Sequence, residues 1–573
     1  MTRHDIRRSG GQLAHDQLIA SAARRPDAPA VIAETTHTFG DLDRASDALA
    51  AHLQAVGVRR GDRVVILADN SAEVVVALYA ALKAGGVFVV VNPTTKPGKL
   101  AYILQDCAAR AMVVHQRVAR FALPALAESP SVTATVWIGG VPDGAAGAAP
   151  GAADASGADG ADRRSAVAYG DAVARDAVPD DPGTIDADLG ALVYTSGSTG
   201  SPKGVMLTHR NLVHNAWSIS TYLGYREDDV IACLLPLSFD YGLFQVLMAA
   251  RVGCAVLLER GFAYPRDCLA RMAEHGATVL PGVPTIFATL LQLAPFDDLG
   301  LDLGRVRMLT NTAATLPPAH IERLGKAFPQ ARIFSMYGLT ECTRVSYLEP
   351  ERLADKITSV GKAMPNTEAY VVDEQGRRVP PGTVGELVVR GASVMRGYWG
   401  KPEETAAVLR PGDIPGELVL HTGDQFVADE EGFLYFVGRG DDVFKSKGEK
   451  VSPREVEHVL YELADVAEAA VVGVPDEIDG MAIKAVVAPR PGATLTEAEV
   501  RRHCRARLES YLVPKHVEIR ASLPKTESGK IRKASLAEAP GGGPDGAPAD
   551  TTRADALPAE APDADTAAPA DAR

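Results

Sequence analysis

Hydrophobic positions in the first 140 residues alternate between short continuous runs and longer stretches with helical spacing. The runs at 63–67 and 87–91 are rich in valine, and apolar residues recur at helical spacing in the segment 74–83 between them. Further runs follow at 189–193, 231–235, 255–258 and 278–280. Strands that alternate with helices in this way predict an α/β fold with mostly parallel sheets.

The pattern changes in the last third of the chain. From about Gly385 the predicted strands are shorter and hairpin-like, and a compact αβ unit follows from about 441 to 535. That unit contains two segments with helical spacing, Pro453 to Leu463 and Thr496 to Leu508. Residues 141–163 are rich in Gly, Ala and Asp, and residues 538–573 in Ala, Pro and Asp, so both segments are predicted to be disordered.

Composition narrows the class of protein. A chain of 573 residues with 46% hydrophobic content is long enough for two or more globular units. Its net charge of -14 argues against a nucleic-acid surface, which requires clustered cations. The six cysteines show no metal-ligand spacing and are predicted to be reduced and mostly buried. With neither a secretory signal nor an apolar run of about 20 residues, the chain is predicted to be cytoplasmic and without membrane insertion. A monomer or homodimer is expected.

The segment from Tyr194 to Gly204 packs hydroxyl residues, three glycines and one lysine into eleven positions, directly after an apolar run. A loop with so little side-chain bulk can bring N–H groups, hydroxyls and a cation onto the oxygens of a polyphosphate. The predicted phosphate contacts are Thr195, Ser196, Gly197, Ser198, Thr199, Gly200 and Lys203. The common NTPase P-loop has Ser or Thr after its lysine, whereas Gly204 follows Lys203 here. A Gly/Ser-rich linker is the alternative, although linkers seldom separate two apolar runs.

Two further segments carry groups suited to a nucleotide. The segment Tyr337-Gly338-Leu339-Thr340-Glu341 offers an aromatic face for adenine, a hydroxyl for a phosphate and a carboxylate for Mg²⁺. Taken alone, it also fits a strand–turn with an acid at a helix N-terminus. Asp424 comes after the apolar residues 418–420, and a carboxylate at a strand end can accept both ribose hydroxyls.

These blocks, in this order, resemble the signature of the adenylate-forming superfamily, which includes acyl-CoA synthetases, peptide-synthetase adenylation domains and luciferases. Segments at 439–442, 445–453 and 524–531 extend the resemblance, which covers most of the chain between Tyr194 and Ile531. It implies a large multi-subdomain N-terminal domain (1–438), a hinge (439–442) and a small mobile C-terminal α+β domain (443–537). The acidic tail (538–573) lies outside it.

The resemblance also implies roles for individual residues. Tyr337, Gly338, Thr340, Asp424 and Arg439 would bind ATP or AMP together with the glycine-rich loop. Glu341 would be the metal ligand and would act in catalysis with Thr195 and with Lys530, the lysine that bridges carboxylate and α-phosphate oxygens. Asp441 would be the hinge residue, and Gly448 would let the backbone approach the thiol of coenzyme A. On their own, Arg439 and Asp441 also fit a solvated turn, and a lone lysine near a C-terminus is usually surface.

The acid substrate is the least specified part of this prediction. Phe239, Asp240, Gly282, Asn311 and Thr312 are the pocket residues that the resemblance implies. Many acyl-CoA synthetases have histidine where Phe239 stands, whereas amino-acid adenylation domains have Phe-Asp, with the aspartate paired to the substrate ammonium. Asp240 therefore either binds an amino group or caps a helix.

The predicted activity is that of an ATP- and Mg²⁺-dependent acid–thiol ligase that makes an acyl-adenylate and transfers the acyl group to coenzyme A. One alternative is an enzyme that loads an amino or aryl acid onto the phosphopantetheine of a carrier protein. Another passes the adenylate to an amine or a different nucleophile. A non-catalytic nucleotide-binding regulator is disfavoured because Lys530 and Glu341 are both present.

Overall fold

The computed structural model describes residues 11–145, 164–195, 202–312, 316–439, 444–446, 449–451, 453–476, 480–508, 512–526 and 530–537. All of them belong to one compact unit that ends at Ala537. The predicted disordered tail at 538–573 and residues 146–163 of the predicted insertion lie outside the described residues.

The helices within these ranges follow the apolar spacing of the sequence. Their bounds are α1 Ala14–Arg24, α2 Phe39–Ala55, α3 Ala72–Lys83, α4 Pro97–Asp106, α5 Ala119–Ala127, α6 Tyr169–Val173, α7 His209–Leu223, α8 Asp240–Val252, α9 Pro265–Glu274, α10 Pro284–Leu293, α11 Pro318–Ala327, α12 Pro402–Val408, α13 Pro453–Tyr461 and α14 Glu497–Arg507.

The strands fall largely on the short apolar runs. Their bounds are β1 Pro29–Ile32, β2 Thr36–Thr38, β3 Arg63–Leu67, β4 Val87–Val91, β5 Ala111–His115, β6 Ala134–Ile138, β7 Ser165–Ala168, β8 Leu189–Thr195, β9 Lys203–Thr208, β10 Val230–Cys233, β11 Ala255–Leu258, β12 Val279–Gly282, β13 Met308–Asn311, β14 Arg332–Tyr337, β15 Ser346–Leu348, β16 Lys362–Ala363, β17 Thr367–Val372, β18 Gly385–Gly391, β19 Gly397–Tyr398, β20 Leu409–Pro411, β21 Leu418–Ala428, β22 Leu434–Arg439, β23 Phe444–Ser446, β24 Glu449–Val451, β25 Val466–Asp476, β26 Gly480–Pro489 and β27 His516–Ile519.

Two large sheets have parallel cores. The first has the order β19-β9-β8-β4-β3-β5-β6-β7, and its strands from β8 to β7 are parallel. The second has the order β16-β15-β14-β13-β12-β10-β11-β1-β2, with a parallel stretch from β14 to β1. Parallel strands are buried on both faces, which explains their continuous valine and leucine runs. The predicted α/β class with mostly parallel sheets is confirmed.

One continuous apolar core joins the two large sheets through the helices between them. It contains Val64 and Phe88 of the first sheet, Ile231 and Leu309 of the second, and most of helix α3. Helix α3 is buried along nearly its whole length, which is typical of a helix covered on all sides. The two sheets are therefore fixed relative to each other, and so are the residues at their strand ends.

The later part of the chain is antiparallel, as the sequence indicated. Strands β17, β18, β21, β20 and β22 form a third sheet in which every pair is antiparallel. The expectation of shorter strands is wrong for β21, because this strand spans 11 residues and pairs along both edges. A small α+β part follows, with β25, β26 and β27 in one sheet beside α13 and α14.

The six cysteines are all free and buried, as predicted. Among the described residues, no helix combines the length and the apolar character needed to cross a bilayer.

Candidate functional site

The carboxyl ends of three neighbouring parallel strands bring predicted acid-pocket residues together. Gly282 at the end of β12 pairs with Asn311 at the end of β13, and Asn311 pairs with Ser335 of β14. Thr312 follows Asn311 and is buried, and its hydroxyl has no hydrogen-bond partner within the described ranges. In open α/β sheets, ligands bind at the carboxyl ends of the strands. This edge of the second sheet is therefore the candidate site.

Glu341 lies just after β14, in a turn that leads into β15 rather than into a helix. The hydroxyl of Tyr398 donates a hydrogen bond to Glu341 Oε1 at 2.6 Å. Burial, and then the charge of Glu341, raises the pKa of Tyr398, so the hydroxyl stays protonated as a donor. Tyr398 belongs to β19, which pairs with β9, and the Nζ atom of Lys203 on β9 lies 5.3 Å from its ring centroid. Tyr398 therefore contacts both Glu341, through its hydroxyl, and Lys203, through its ring.

The predicted phosphate loop connects two antiparallel strands. Thr195, the last residue of β8, pairs with Lys203, the first residue of β9. The predicted contacts Ser196, Gly197, Ser198, Thr199 and Gly200 lie outside the described residues. The two ends of the loop therefore lie side by side. One of them is the start of β9, the strand in which Val205 pairs with Tyr398 of β19.

Tyr337 and Asp424 are joined directly. The hydroxyl of Tyr337 donates to Asp424 Oδ2 at 2.5 Å, and its ring packs edge-on against Phe426 at 4.8 Å. Burial, with a further contribution from Asp424, raises the pKa of Tyr337 well above its usual value. Asp424 pairs with Arg439 across β21 and β22, and only the backbone of Arg439 is described.

The prediction that Asp424 lies at a strand end is wrong. Strand β21 continues to Ala428, and the apolar run at 418–420 marks only its first part. The ladder with β22 is irregular between Gln425 and Phe426, next to Asp424. Such irregularities re-aim side chains, which is how an aspartate in a strand interior comes to face Tyr337.

Asp240 is the first residue of helix α8 and is buried. The N-cap position is held by Phe239, whose side chain makes no capping hydrogen bond, whereas the backbone N–H of Tyr241 donates to the Asp240 carboxylate. Both alternatives for Asp240 therefore stay predictions. Burial raises the pKa of Asp240, and the charges of Arg344 and Lys530 oppose that rise, whereas Glu341 adds to it. These three residues are therefore the charged neighbours of Asp240.

Lys530 reaches the same site from the small C-terminal part. Its backbone N–H donates to Thr526 Oγ1 at 3.1 Å, its side chain is exposed, and its charge acts on Asp240. The small part packs on the large one through Arg454, whose guanidinium lies 4.1 Å from the ring centroid of Phe436. The predicted hinge residue Asp441 and the predicted thiol-site residue Gly448 lie outside the described residues.

Two residues of the site were not predicted. Tyr398 had no assigned role, because its contact with Glu341 depends on strand pairing. Arg344 is 2% exposed, and its guanidinium carbon lies 4.9 Å from the ring centroid of Tyr241. The sequence held one signal for it, a charged residue among the small and apolar residues Cys342 to Val345 directly after Glu341.

Comparison with known proteins agrees with this geometry. The sequence profile of the AMP-binding enzyme family matches residues 18–399, and that of the AMP-binding enzyme C-terminal domain matches residues 455–530. A long-chain-fatty-acid–CoA ligase of Bacillus subtilis (strain 168) is 33% identical over 540 residues, which cover 91% of this chain and 93% of that protein. A feruloyl-CoA synthase of an Amycolatopsis species is 34% identical over 507 residues, covering 88% and 94%.

A solved structure also superimposes over nearly the whole chain. It is that of an anthranilate CoA ligase in complex with anthranoyl-AMP, with a TM-score of 0.81 and 28% sequence identity. The match covers 91% of this chain and 96% of the other. The chain therefore belongs to the AMP-binding enzyme family, and it is an AMP-forming ligase of the acyl-CoA synthetase type.

Proposed function

We propose that this enzyme joins an organic acid to coenzyme A in two steps. A carboxylate oxygen of the acid first attacks the α-phosphorus of ATP, which forms an acyl-adenylate and releases pyrophosphate. The thiolate of coenzyme A then attacks the acyl carbon, and the bond to AMP breaks. The observation that carries the proposal is that Tyr398 donates to Glu341 and lies beside Lys203 while Tyr337 donates to Asp424, so groups from distant parts of the chain that suit the metal, phosphate and ribose of ATP converge.

The first step brings two anions together, so stabilisation of negative charge would dominate catalysis. Lys530 and Lys203 would both bind phosphate or carboxylate oxygens. Tyr337, Gly338, Thr340, Asp424 and Arg439 would hold the adenosine and phosphate groups. The hydrogen bond from Tyr337 to Asp424 supports the ribose role, because it fixes one carboxylate oxygen and leaves Asp424 oriented.

Mg²⁺ fits Glu341 as a ligand. The described residues contain no cluster of three or more His, Cys, Asp or Glu side chains suited to a metal. Mg²⁺ commonly takes only one or two protein carboxylates and completes its shell with phosphates and water, and a single oriented carboxylate meets that need. When bound, the ion would neutralise charge on the phosphates, while Tyr398 would hold Glu341 in place.

Coenzyme A is the proposed acceptor because both curated relatives described above are named as enzymes that form CoA thioesters. In the second step the small part would turn about Asp441 and bring Gly448 to the acyl-adenylate. Asp441→Pro should then permit adenylation and block thioester formation, whereas equal loss of both steps would argue against a hinge at this residue.

A substrate that carries an amino group is the second candidate, and buried Asp240 favours it. Asp240 is buried in the first turn of α8, and its carboxylate would serve as a counter-ion for an ammonium. Exchange assays that compare fatty, aryl and amino acids, followed by thioester assays with coenzyme A and with a holo-carrier protein, distinguish these candidates.

The proposal is tested by ATP–pyrophosphate exchange in Lys530→Ala. Loss of a preorganised cation typically lowers the rate by about 10²–10³, so the exchange rate should fall by that factor while the protein stays folded. Lys525→Ala is the matched control, because Lys525 lies on the same segment and is paired with Glu468. Near-normal exchange in Lys530→Ala would contradict the role of Lys530, and absence of exchange in the wild type with every acid tested would contradict the function.

A further inference from the structure

Arg344 is a buried cation that is coupled electrostatically to Asp240 but forms no ion pair with it. Its Nε atom has no hydrogen-bond partner in the part of the chain that the structure describes. No carboxylate within the same ranges forms an ion pair with it at 4.0 Å or less. Transfer of an ionised group from water into a protein interior is costly unless the charge is paired and hydrogen-bonded. A guanidinium kept in this state indicates a partner that is supplied from outside the chain.

Other buried cations of the protein are compensated. Lys83 contacts Asp43 at 2.6 Å and Asp47 at 2.8 Å, and Lys484 contacts Glu518 at 3.0 Å. Arg164 donates to three backbone carbonyls at 2.7–3.2 Å. Arg344 differs from all three, so its state is not a general property of this fold.

The location of Arg344 points to the acid substrate as the missing partner. Arg344 follows Glu341 by three residues, and its guanidinium lies over the ring of Tyr241. Tyr241 is in the first turn of α8, next to Asp240. The hydroxyl of Tyr241 in turn donates to the carbonyl of Thr310, the residue before Asn311 on β13. Arg344 is therefore connected, through Tyr241 and Thr310, to the predicted pocket residues Asp240 and Asn311, and it is buried.

We propose that the acid substrate carries a second carboxylate, remote from the one that is adenylated, and that Arg344 binds it. The planar fork of a guanidinium matches a carboxylate with two parallel hydrogen bonds, which fixes both distance and orientation. The inference rests on the proposed acid activation and adds the class of acid, a dicarboxylic acid.

Asp240 does not argue against an anionic substrate. It is close enough to Arg344 to act on it electrostatically but is not in contact with it as an ion pair. Lys530 as well as Arg344 acts on Asp240 and opposes the effect of its burial, so the charge of Asp240 is offset by two cations.

The test compares acids in pairs that differ only in the second carboxylate. Pentanoate is paired with glutarate, heptanoate with pimelate and benzoate with isophthalate, and kcat/KM is measured by ATP–pyrophosphate exchange. A site built around a buried charge rejects ligands that leave it unpaired, so the wild type should prefer the diacid of the best pair by about 100-fold or more. Arg344→Met should remove that preference by lowering kcat/KM for the diacid and not for the monoacid, and Arg344→Lys should keep part of it.

Arg332→Met is the matched control, because Arg332 lies on β14 but pairs with Glu351 at the surface. It should leave the preference unchanged. In the unliganded protein, Arg344→Met should leave the unfolding midpoint unchanged or raise it, since an apolar side chain replaces an unpaired charge. A lower midpoint would mark Arg344 as a structural residue and overturn the inference without reference to activity.

Two kinetic outcomes are also distinct. Monoacids equal to or better than diacids in every pair would overturn the inference while leaving the acid-activating function intact. No exchange with any monoacid, diacid, fatty, aryl or amino acid would contradict the proposed function itself.

Discussion

The hydrogen bond between Tyr398 and Glu341 connects two parts of the site that are distant in sequence. Tyr398 is held on β19 by its pairing with β9, the strand that begins at Lys203. Glu341 follows β14 of the other large sheet. At the scale of single residues, this contact sets the position of the proposed metal ligand relative to the proposed phosphate loop.

Tyr398→Phe should therefore weaken adenylation without unfolding the protein. A hydrogen bond to a charged group contributes about 1.5–3 kcal/mol, which corresponds to a fall of roughly 10–100-fold in the exchange rate. The loss should be smaller at high Mg²⁺ concentration if Tyr398 orients Glu341 for the ion. The measurement is exchange rate against Mg²⁺ concentration.

The control for this substitution is Tyr435→Phe, which removes a similar hydrogen bond from a tyrosine to a carboxylate, that of Asp429, at another place. It should leave the exchange rate and its dependence on Mg²⁺ as in the wild type. An unchanged Mg²⁺ dependence in Tyr398→Phe would show that the tyrosine does not position Glu341.

Residue chemistry alone indicated part of the site. The types and order of Lys203, Tyr337, Glu341 and Asp424 were enough to predict a nucleotide site before any contact was known. Arg344 was missed because a charge in the sequence looks the same whether it is solvated or buried. Only the packing of Tyr241 over it shows that water is excluded.

At the scale of elements, the turn after β14 is the most constrained part of the site. A Cβ atom on Gly338 would lie 2.4 Å from the carbonyl oxygen of Thr343 and 2.9 Å from the Cα atom of Arg344. Thr343 itself has a φ of 64°, in the left-handed region. Gly338 is therefore needed for the close return of the chain that places Glu341 and Arg344.

Gly338→Ala should displace this turn. Overpacking of this kind destabilises proteins by about 1–3 kcal/mol, and the exchange rate should fall at least about 10-fold because Glu341 moves with the turn. Unfolding in urea and the exchange assay measure the two effects. Gly325→Ala in helix α11 is the matched control, since a Cβ there contacts nothing and should stabilise the helix by about 0.5–1 kcal/mol. Equal activity in the two variants would contradict the proposed constraint.

Strand existence was more predictable than strand extent. The runs at 63–67 and 87–91 became β3 and β4 with the same bounds, because both faces of these strands are buried and every position except Arg63 is apolar. In β21 the polar residues from Thr422 to Asp424 hid the continuation of the strand. Backbone hydrogen bonds to β18 and β22 hold that segment, and these do not depend on apolar side chains.

At the scale of the whole molecule, the alternating pattern predicted the class but not the order of the strands. Strand β1 pairs with β11, and β4 pairs with β8, across long stretches of chain. Such pairings are decided by which apolar faces fit together after collapse, and no local pattern records that. The same non-local packing buries polar groups, and one of them makes the stability of the molecule depend on pH.

His209, the first residue of α7, is buried, and its Nδ1 accepts a hydrogen bond from the backbone N–H of Ala14 at 3.1 Å. Burial lowers its pKa from 6.5 to about 4, against the opposing charges of Asp188 and Asp186. The unfolded chain therefore binds the proton more tightly, so the contribution of His209 to stability is present above pH 6.5 and is lost as the pH falls toward 4. Between pH 7.5 and 5.0 this loss should be about 2 kcal/mol.

His209→Gln should flatten the acid side of the stability profile, because glutamine can accept the hydrogen bond from Ala14 but does not titrate. The measurement is the free energy of unfolding of the part of the protein that contains α7, determined by urea denaturation at pH 7.5 and at pH 5.0. Other titrating groups are common to both proteins, so the wild type should lose about 2 kcal/mol more than the variant over this range. His37→Gln, at a ring hydrogen-bonded to Thr35 near the surface, should lose as much as the wild type. Parallel profiles for His209→Gln and the wild type would mean that His209 is protonated equally in the folded and unfolded states, which burial of its ring beneath α1 should prevent.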